Sequence, residues 1–190
     1  MEVLFHFIFE LIKISMLGCI YATLILLTFK IISRFQPDSW FDRVSKKKLR
    51  LWFLSGLFIS TGLFFNMFSY WGDHGLGDSA RVPIGHSRSI QQIDGTTGYI
   101  QDEGPVRMLS MDKFIVTDDF IYGSVDSQNE NYDGKYFIYD LVNNKVQTFN
   151  QEKYFIRYLT ILNLNTKPDY KDFDYYYAEH WHGWRFFLLA

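Results

Sequence analysis

An unbroken run of 21 residues from Leu51 to Trp71, LWFLSGLFISTGLFFNMFSYW, carries no formal charge. As an α-helix rising about 1.5 Å per residue, it would be about 31 Å long, which matches a bilayer hydrocarbon core of about 30 Å. Trp52 lies at one end and Tyr70 and Trp71 at the other, where aromatic side chains favour the membrane–water interface. Because soluble domains rarely bury a helix that is apolar on every side, the run predicts a membrane-spanning helix over 51–71.

A second apolar segment lies closer to the N-terminus. Its 16 uncharged residues, Ile14–Phe29, are flanked by Lys13 and Lys30, whose long side chains can reach the interface and extend the predicted span to 11–33. Glu10 shares a helical face with Lys13; we expect this pair at the hydrated interface, with a functional intramembrane pair as the alternative. The acidic start, MEVLFHFIFE, lacks the basic region of a signal peptide, so an uncleaved helix is expected.

The loop between the two predicted spans is strongly basic. Against Asp38 and Asp42, residues 30–50 carry seven basic side chains: Lys30, Arg34, Arg43, Lys46, Lys47, Lys48 and Arg50. Because lysine and arginine in short loops resist translocation, this bias places the loop 34–50 in the cytoplasm, both termini outside it, and residues 72–190 in an extracytoplasmic domain. The predicted location is the inner (cytoplasmic) membrane of a bacterium.

The loop also contains a helix signal. Gln36-Pro37-Asp38-Ser39 is typical of a helix start and predicts an interfacial turn of helix. Its apolar face would hold Trp40, Phe41, Val44 and Leu49. The loop lysines would then contact anionic lipid headgroups, or else they would only set the topology.

Small residues recur at four-residue spacing in both spans, Gly18 with Ala22 and Gly56 with Ser60. This spacing lets helix backbones approach closely. It predicts that the two spans pack against each other as an antiparallel hairpin, with dimerisation through the same faces as the alternative.

The composition changes after Trp71. Residues 72–190 carry eleven basic and seventeen acidic side chains, whereas residues 1–71 carry eight and four. With 119 residues and no cysteine, the second region must be stabilised by an apolar core. Turns are predicted at Asp94-Gly95, Asp118-Asp119, Asp133-Gly134 and Asn143-Asn144. The predicted strands are Arg81–Ile84, Ser89–Ile93, Tyr99–Gln101, Val106–Met111, Lys113–Thr117, Phe120–Val125, Lys135–Val142 and Lys145–Phe149.

The last four of these strands predict an antiparallel β-meander from Lys113 to Phe149. A helix capped by Asn150 and running to Leu162 is expected next, with an apolar stripe that includes Tyr154. An aromatic-rich helix or turn over 170–180 and a terminal strand over 184–189 complete the chain. The predicted fold is a membrane α-helical hairpin of two transmembrane helices followed by a C-terminal α+β domain.

Two histidines of this domain suggest a metal site. In His180-Trp181-His182, a strand would place both imidazoles on one face, as two metal ligands require. Asp73 and His74 would complete the site if the chain ends meet. Because this short pattern alone is a weak signal, a divalent metal and a metal-dependent envelope enzyme are alternatives, and no cofactor is expected.

Other catalytic signatures are missing from the sequence. There is no G-x-S-x-G motif, the single cysteine, Cys19, lies in the first predicted span, and the glycines of 72–77 neither follow a strand nor open a helix. We therefore expect no enzymatic activity. The aromatic stretch Tyr175–Trp184 is typical of a core, a partner-binding surface or a membrane-interface belt, and these alternatives stay open.

Two N-terminal spans followed by a small β-rich domain resemble, in outline and without a shared motif, the membrane effectors of bacterial cyclic-nucleotide antiphage defence. The resemblance implies a domain that senses a cyclic nucleotide in the cytosol, on the opposite side from that predicted by the basic loop. The preferred prediction is a non-enzymatic binding domain outside the cytoplasm. Its expected partners are the lipid bilayer and an envelope protein or a second copy of the chain, with no nucleic acid.

Overall fold

A computed structural model describes residues 2–69, 71–72, 79–93, 97–101, 108–129 and 131–189. The chain divides into a helical unit, Met1–Gly77 with Gly183–Ala190, and a sheet unit, Asp78–His182. The helices are α1 (Glu2–Phe35), α2 (Trp40–Ser45), α3 (Lys48–Met67), α4 (Glu152–Ile161), α5 (Phe173–Trp181) and α6 (Trp184–Leu188). The strands are β1 (Ser79–Pro83), β2 (Ser89–Ile93), β3 (Gly98–Gln101), β4 (Met108–Val116), β5 (Phe120–Val125), β6 (Tyr136–Asp140) and β7 (Lys145–Phe149).

The first predicted span forms a longer helix than 11–33. α1 continues back to Glu2 because the residues before the span are themselves apolar and the charges among them pair at helical spacing. The carboxylate of Glu10 lies 3.7 Å from the His6 Nε2 atom and 3.9 Å from the Lys13 ammonium. These residues therefore extend the helix instead of ending it.

The second predicted span forms a helix with shifted ends. α3 starts at Lys48 and stops at Met67, so the prediction of a helix to residue 71 is wrong at its C-terminal end. The stop has a local cause, because both the N–H (2.9 Å) and the hydroxyl (2.7 Å) of Ser69 donate to the carbonyl of Asn66. Serine side chains compete in this way with the helical hydrogen-bond ladder.

The small residues of the two spans meet at the α1–α3 contact. The carbonyl of Gly56 would lie 3.3 Å from a Cβ placed on Gly18, and the hydroxyl of Ser60 occupies the same space. A Cβ on Gly56 would lie 3.5 Å from that of Ala22, which is fully buried. The two backbones approach so closely that a Cβ on Gly18 would overlap the Ser60 hydroxyl, and a Cβ on Gly56 would already be in van der Waals contact with α1.

The rest of the interface fixes the direction of the helices. The indole N–H of Trp52 donates to the hydroxyl of Thr23 at 3.1 Å, on the loop side of the glycine contact. On the other side, buried apolar residues from both helices form one cluster: Ile14, Leu17, Leu63 and Met67. Residue numbers thus rise along α1 as they fall along α3, which makes the pair an antiparallel hairpin.

The outward sides of α1 and α3 are apolar and uncovered. Of the most apolar 18-residue stretch of each helix, 22% is buried in α1 and 6% in α3. Phe58, on α3, is 81% exposed. Within the described residues, two helices are therefore long and apolar enough to cross a membrane.

The chain end belongs to the helical unit, where α6 replaces the strand predicted over 184–189. Gly183 precedes it with a φ of 75°, a backbone angle that favours glycine. The hydroxyl of Tyr21, on α1, donates to the carbonyl of Leu188 at 2.8 Å. This contact joins residues 167 positions apart, so local strand propensity carries no information about it.

The sheet unit is one antiparallel sheet with the strand order β1-β2-β3-β4-β5-β6-β7. The predicted meander is confirmed and is larger than expected, since every strand pairs with its neighbours in sequence. A tight turn joins β6 to β7, where Asn144 adopts a φ of 55°. The turn predicted at Asp94-Gly95 lies outside the described residues.

One strand was predicted as two. Apart from Thr117, the described residues of the predicted strands Val106–Met111 and Lys113–Thr117 belong to the single strand β4, whose register with β5 shifts between Met111 and Phe114. At the shift, the N–H of Lys113 donates to the Ser124 hydroxyl at 3.2 Å. The polar residues at this bulge interrupt the apolar alternation, which is why the sequence predicted two strands.

Alternating side chains build a core on each face of the sheet. On β5 and β6, Ile121 and Phe137 belong to the cluster that includes Phe173 and Trp181 of α5. The buried members of this cluster are Val82, Ile90, Ile100, Leu109, Met111, Phe114, Ile121, Phe137, Tyr139, Leu141, Phe173 and Trp181. Their sequence neighbours Tyr122 and Ile138 belong to the opposite cluster, with Phe155 and Leu159 of α4. The period of two thus gives this sheet an apolar layer on both sides.

The predicted helix after the meander forms as α4. Its N-cap is Gln151, one residue beyond the expected Asn150. Phe155 and Leu159 pack on the sheet, whereas Tyr154, predicted for the same stripe, is 52% exposed. The stripe is therefore narrower than the sequence suggested.

The aromatic stretch of α5 packs largely into the core. The Tyr176 ring stacks on that of Phe114, with ring centres 5.1 Å apart. The Tyr176 hydroxyl accepts the N–H of Val116 and donates to the carbonyl of Phe114, both at 3.2 Å. Burial raises the pKa of Tyr176 to about 12. One side chain thus joins α5 to β4 through stacking and two hydrogen bonds.

We expect Tyr176→Phe to lower the free energy of unfolding by about 1–3 kcal/mol, because it leaves the Val116 N–H without this acceptor. The Phe114 carbonyl still accepts the N–H of Lys171 at 3.1 Å. Urea unfolding of the full chain in detergent, followed by near-ultraviolet circular dichroism, measures the change. Tyr175→Phe is the control; its side chain is 45% exposed and the expected change is within about 0.5 kcal/mol. Equal losses in both variants would contradict the assignment.

The same side chain predicts a pH dependence. The pKa of Tyr176 is about 12 in the folded protein and about 10 in the unfolded chain. The neutral hydroxyl therefore contributes its whole share of the free energy of unfolding below pH 10, and this share is lost as the pH rises from 10 to 12. Burial also raises the pKa of Tyr170 to about 12. Stability should therefore fall over this range in the parent and fall less steeply in Tyr176→Phe.

The glycine contact predicts the behaviour of the hairpin. Gly18→Leu and Gly56→Leu should each overpack the interface and cost at least about 1–3 kcal/mol. The matched control is Gly62→Leu, also on α3, because a Cβ on Gly62 meets no atom within 4 Å. Thermal unfolding of the full chain in detergent micelles measures the difference. Unchanged unfolding in the first two variants would rule out this contact as a determinant of the hairpin.

Candidate functional site

The basic loop between α1 and α3 folds around a short helix. The helix predicted after Gln36–Ser39 forms as α2, with Ser39 as its N-cap. The Ser39 hydroxyl accepts the N–H of Asp42 at 3.3 Å, and Asp38 before it adopts a φ of 62°. Leu49, predicted for the apolar face of this helix, lies instead on α3 and is 86% exposed.

Three aromatic rings hold α2 against α1. The ring centre of Phe29 lies 5.7 Å from that of Trp40 and 5.2 Å from that of Phe41, and the last two are 5.3 Å apart. Sequence reasoning placed Trp40 and Phe41 on one face and missed Phe29, which it treated only as the end of a span. The position of α2 beside the last turns of α1 was the missing information.

The loop keeps most of its positive charge unpaired. All seven basic side chains predicted to set the topology are exposed: Lys30, Arg34, Arg43, Lys46, Lys47, Lys48 and Arg50. In the described part of the chain, Lys46 alone among them forms an ion pair, with its ammonium 2.8 Å from the carboxylate of Asp42. The hydrogen bond and charge of Asp42 raise the pKa of Lys46. Six cations on a short segment are therefore without a carboxylate partner among the described residues.

The predicted interface aromatics have different surroundings. Trp52 is tied to Thr23 on α1 through its indole N–H. Trp71 follows α3 in a turn and is 67% exposed. Tyr70 lies outside the described residues. A ring at each end of the α3 region therefore occupies a position suited to an interface belt.

The predicted metal ligands do not sit on a strand. His180 lies in the last turn of α5 and His182 is its C-cap, so the strand geometry expected for the pair is wrong. Their rings contact Trp181 and Tyr177, with centres 4.7 and 6.5 Å apart respectively. Asp73 and His74 lie outside the described residues. Among the residues that are described, no group of three or more His, Cys, Asp or Glu side chains is placed to hold a metal.

The outer side of α4 is the most apolar exposed helix face of the sheet unit. Tyr154 and Ile161, two turns apart, are 52% and 64% exposed, and Arg157 lies between them on the same side. The Lys153 ammonium lies 4.7 Å from the centre of the Tyr154 ring. Tyrosine and arginine beside an aliphatic residue are typical of protein-binding surfaces. Sequence reasoning missed this face because it assigned Tyr154 to the core.

Comparison of the chain with protein-family models, curated protein sequences and solved structures gives no match.

The helix geometry of the histidine pair leads to a prediction. We expect excess Zn²⁺ to leave the melting temperature of the full chain unchanged, because residues two apart at a helix end do not share a face. A metal bound to the folded state would instead raise the melting temperature. A rise that disappears in the His180→Ala, His182→Ala double variant would contradict the expectation and support the metal-dependent alternative.

Proposed function

We propose that this protein is a two-pass integral membrane protein of the bacterial cytoplasmic membrane that presents a non-enzymatic binding domain outside the cytoplasm. One observation carries the proposal: the helical unit combines two largely exposed apolar helices with a connecting loop that holds six cations without an ion pair among the described residues. The proposed spans are α1 and α3.

Insertion is supported by the side chains that the helical unit leaves exposed. Phe58, Phe53 and Leu24 are 81%, 62% and 53% exposed, so the packing of the helical unit leaves much of their apolar surface open. A bilayer removes such side chains from water without needing any further protein surface. Threonine hydroxyls on both helices donate to carbonyls of their own helix, as in Thr28, which donates to Leu24 at 2.9 Å, and Thr61, which donates to Leu57 at 2.8 Å.

The orientation is supported by the charge at the two ends of the hairpin. The loop end carries the unpaired cations, whereas at the other end Lys13 lies beside Glu10. Beyond α3 the next basic residue is Arg81. Because translocation is resisted by lysine and arginine near the ends of a span, the loop end is proposed to stay in the cytoplasm and the sheet unit to lie outside.

A binding role for the sheet unit is supported by its surface and its core. The core uses both faces of the sheet, so the domain has its own stability. The outer side of α4 presents Tyr154, Arg157 and Ile161. The proposed partner is a protein of the envelope or a second copy of this chain, because an exposed Tyr–Arg–Ile face suits a protein surface better than a polar small molecule.

Cysteine labelling tests the orientation. In a Cys19→Ser background, Asn150→Cys on the sheet unit and Gln36→Cys on the loop each introduce one exposed thiol without changing the charge. A membrane-impermeant maleimide added to intact spheroplasts should label Asn150→Cys and should reach Gln36→Cys only after permeabilisation. The Cys19→Ser chain alone is the background control.

The opposite labelling pattern would overturn the proposal. A domain in the cytosol would instead fit the nucleotide-sensing alternative, because a cytosolic messenger could then reach it. Labelling of both thiols in intact spheroplasts would show that the hairpin does not cross the membrane.

A further inference from the structure

A groove of about 960 Å³ opens between α1, α2 and α3 at the loop end of the helical unit. One wall is apolar and is formed by Ile25 and Phe29 of α1 and by Leu54 and Phe58 of α3. The opposite rim is basic. The two kinds of lining are segregated along the groove, so it suits a ligand with a charged end and an apolar body.

The apolar wall has the depth of a lipid leaflet. From Arg50 at the rim to Phe58 at the far end, α3 rises about 12 Å. One leaflet contributes about 15 Å of hydrocarbon to a bilayer, half of the core. With the rim at the level of the headgroups, the wall therefore runs along most of one acyl chain.

The rim presents four cations, three of which form no ion pair with the residues that the structure describes. Arg43, Lys46, Lys47 and Arg50 line it. Within the described residues, Lys46 is paired with Asp42 and the other three form no ion pair. Because all four line the same groove, their charges are concentrated at one place. The rim is therefore complementary to an anion.

The position of the rim is fixed by packing. The Phe29–Trp40 and Phe29–Phe41 contacts seat α2 on α1, and Trp40 itself lines the groove. The Ser39 cap and the Lys46–Asp42 pair order the start and end of α2. The basic side chains are thus carried by a folded segment and not by an irregular loop.

We propose that this groove binds one anionic glycerophospholipid. Its phosphate is held by Arg43, Lys47 and Arg50, and an acyl chain lies along Ile25, Phe29, Leu54 and Phe58. Basic pockets between membrane helices on the cytoplasmic side bind anionic headgroups for this reason. A zwitterionic lipid brings a compensating positive charge to the rim, so it binds more weakly. The inference needs the helical unit to be in a bilayer, but it does not depend on the orientation.

Native mass spectrometry of the purified full chain in detergent tests the site. Titration with phosphatidylglycerol should show saturable binding of one lipid, at least tenfold tighter than that of phosphatidylcholine. Glycerophosphoglycerol, which has the headgroup without acyl chains, and inorganic phosphate should not bind. Binding of either soluble anion as tightly as the lipid, or equal binding of the two lipids, would overturn the proposal.

Matched variants separate the groove from general charge. Arg43→Gln with Lys47→Gln should weaken phosphatidylglycerol binding at least tenfold, whereas Lys30→Gln with Arg34→Gln removes two loop cations outside the groove and should leave it unchanged. Ser55→Phe should fill the groove and weaken binding with every charge intact, and Thr61→Phe, elsewhere on α3, should not.

Equal losses in the two charge variants, or undiminished binding in Ser55→Phe, would overturn the site. Circular dichroism of each variant checks that the helices are retained. Lipid binding is measured on purified protein, so a negative result would not change the orientation found by cysteine labelling. Likewise, a reversed labelling pattern would not change the lipid preference measured in detergent.

Discussion

The helical unit depends on the close approach of two backbones at Gly18 and Gly56. In lipid, helices gain little from hiding apolar side chains from each other, so their association depends on van der Waals contact over a closely fitted surface. The fit here is direct: Ala22 is fully buried and Ser60 fills the space beside Gly18. This contact brings the ends of α1 and α3 together, which in turn makes a loop as short as 36–47 sufficient to join them.

The sheet unit has apolar side chains on both faces of its sheet, so both faces must be shielded from water by other elements. α4 covers one face through Phe155 and Leu159, and α5 contributes Phe173 and Trp181 to the other. The indole N–H of Trp181 also donates to the carbonyl of Arg81 on the edge strand β1, at 2.6 Å. Trp181 of the aromatic stretch thus donates a hydrogen bond to the edge strand and also contributes apolar surface to the core.

Sequence reasoning succeeded where a property is local and failed where it depends on distant residues. Local sequence predicted three features that the structure contains: a helix over most of the charge-free run, a helix cap at Ser39 and a turn at Asn144. The polar residues of the β4 bulge predicted two separate strands, and only the hydrogen bond to Ser124 of β5 shows that the strand continues. The conformation after Gly183 depends on Tyr21, far along the chain, so residues 184–189 could not be assigned from propensity. Of the candidate site, the basic residues were evident, but the Phe29 contact that gathers them was not.

The fold of the loop bears on how one set of charges can serve two purposes. Topology needs only that lysine and arginine stay unneutralised between the spans, and an unstructured loop would meet that condition. A ligand site needs them to converge, which an unstructured loop would not achieve. α2 meets both conditions, because its one ion pair, Lys46 with Asp42, lies within the helix and leaves Arg43 and Lys47 unpaired in the described structure. The aromatic contact with Phe29 then sets these cations above an apolar wall. A folded loop is therefore the feature that distinguishes a lipid site from a topological signal alone.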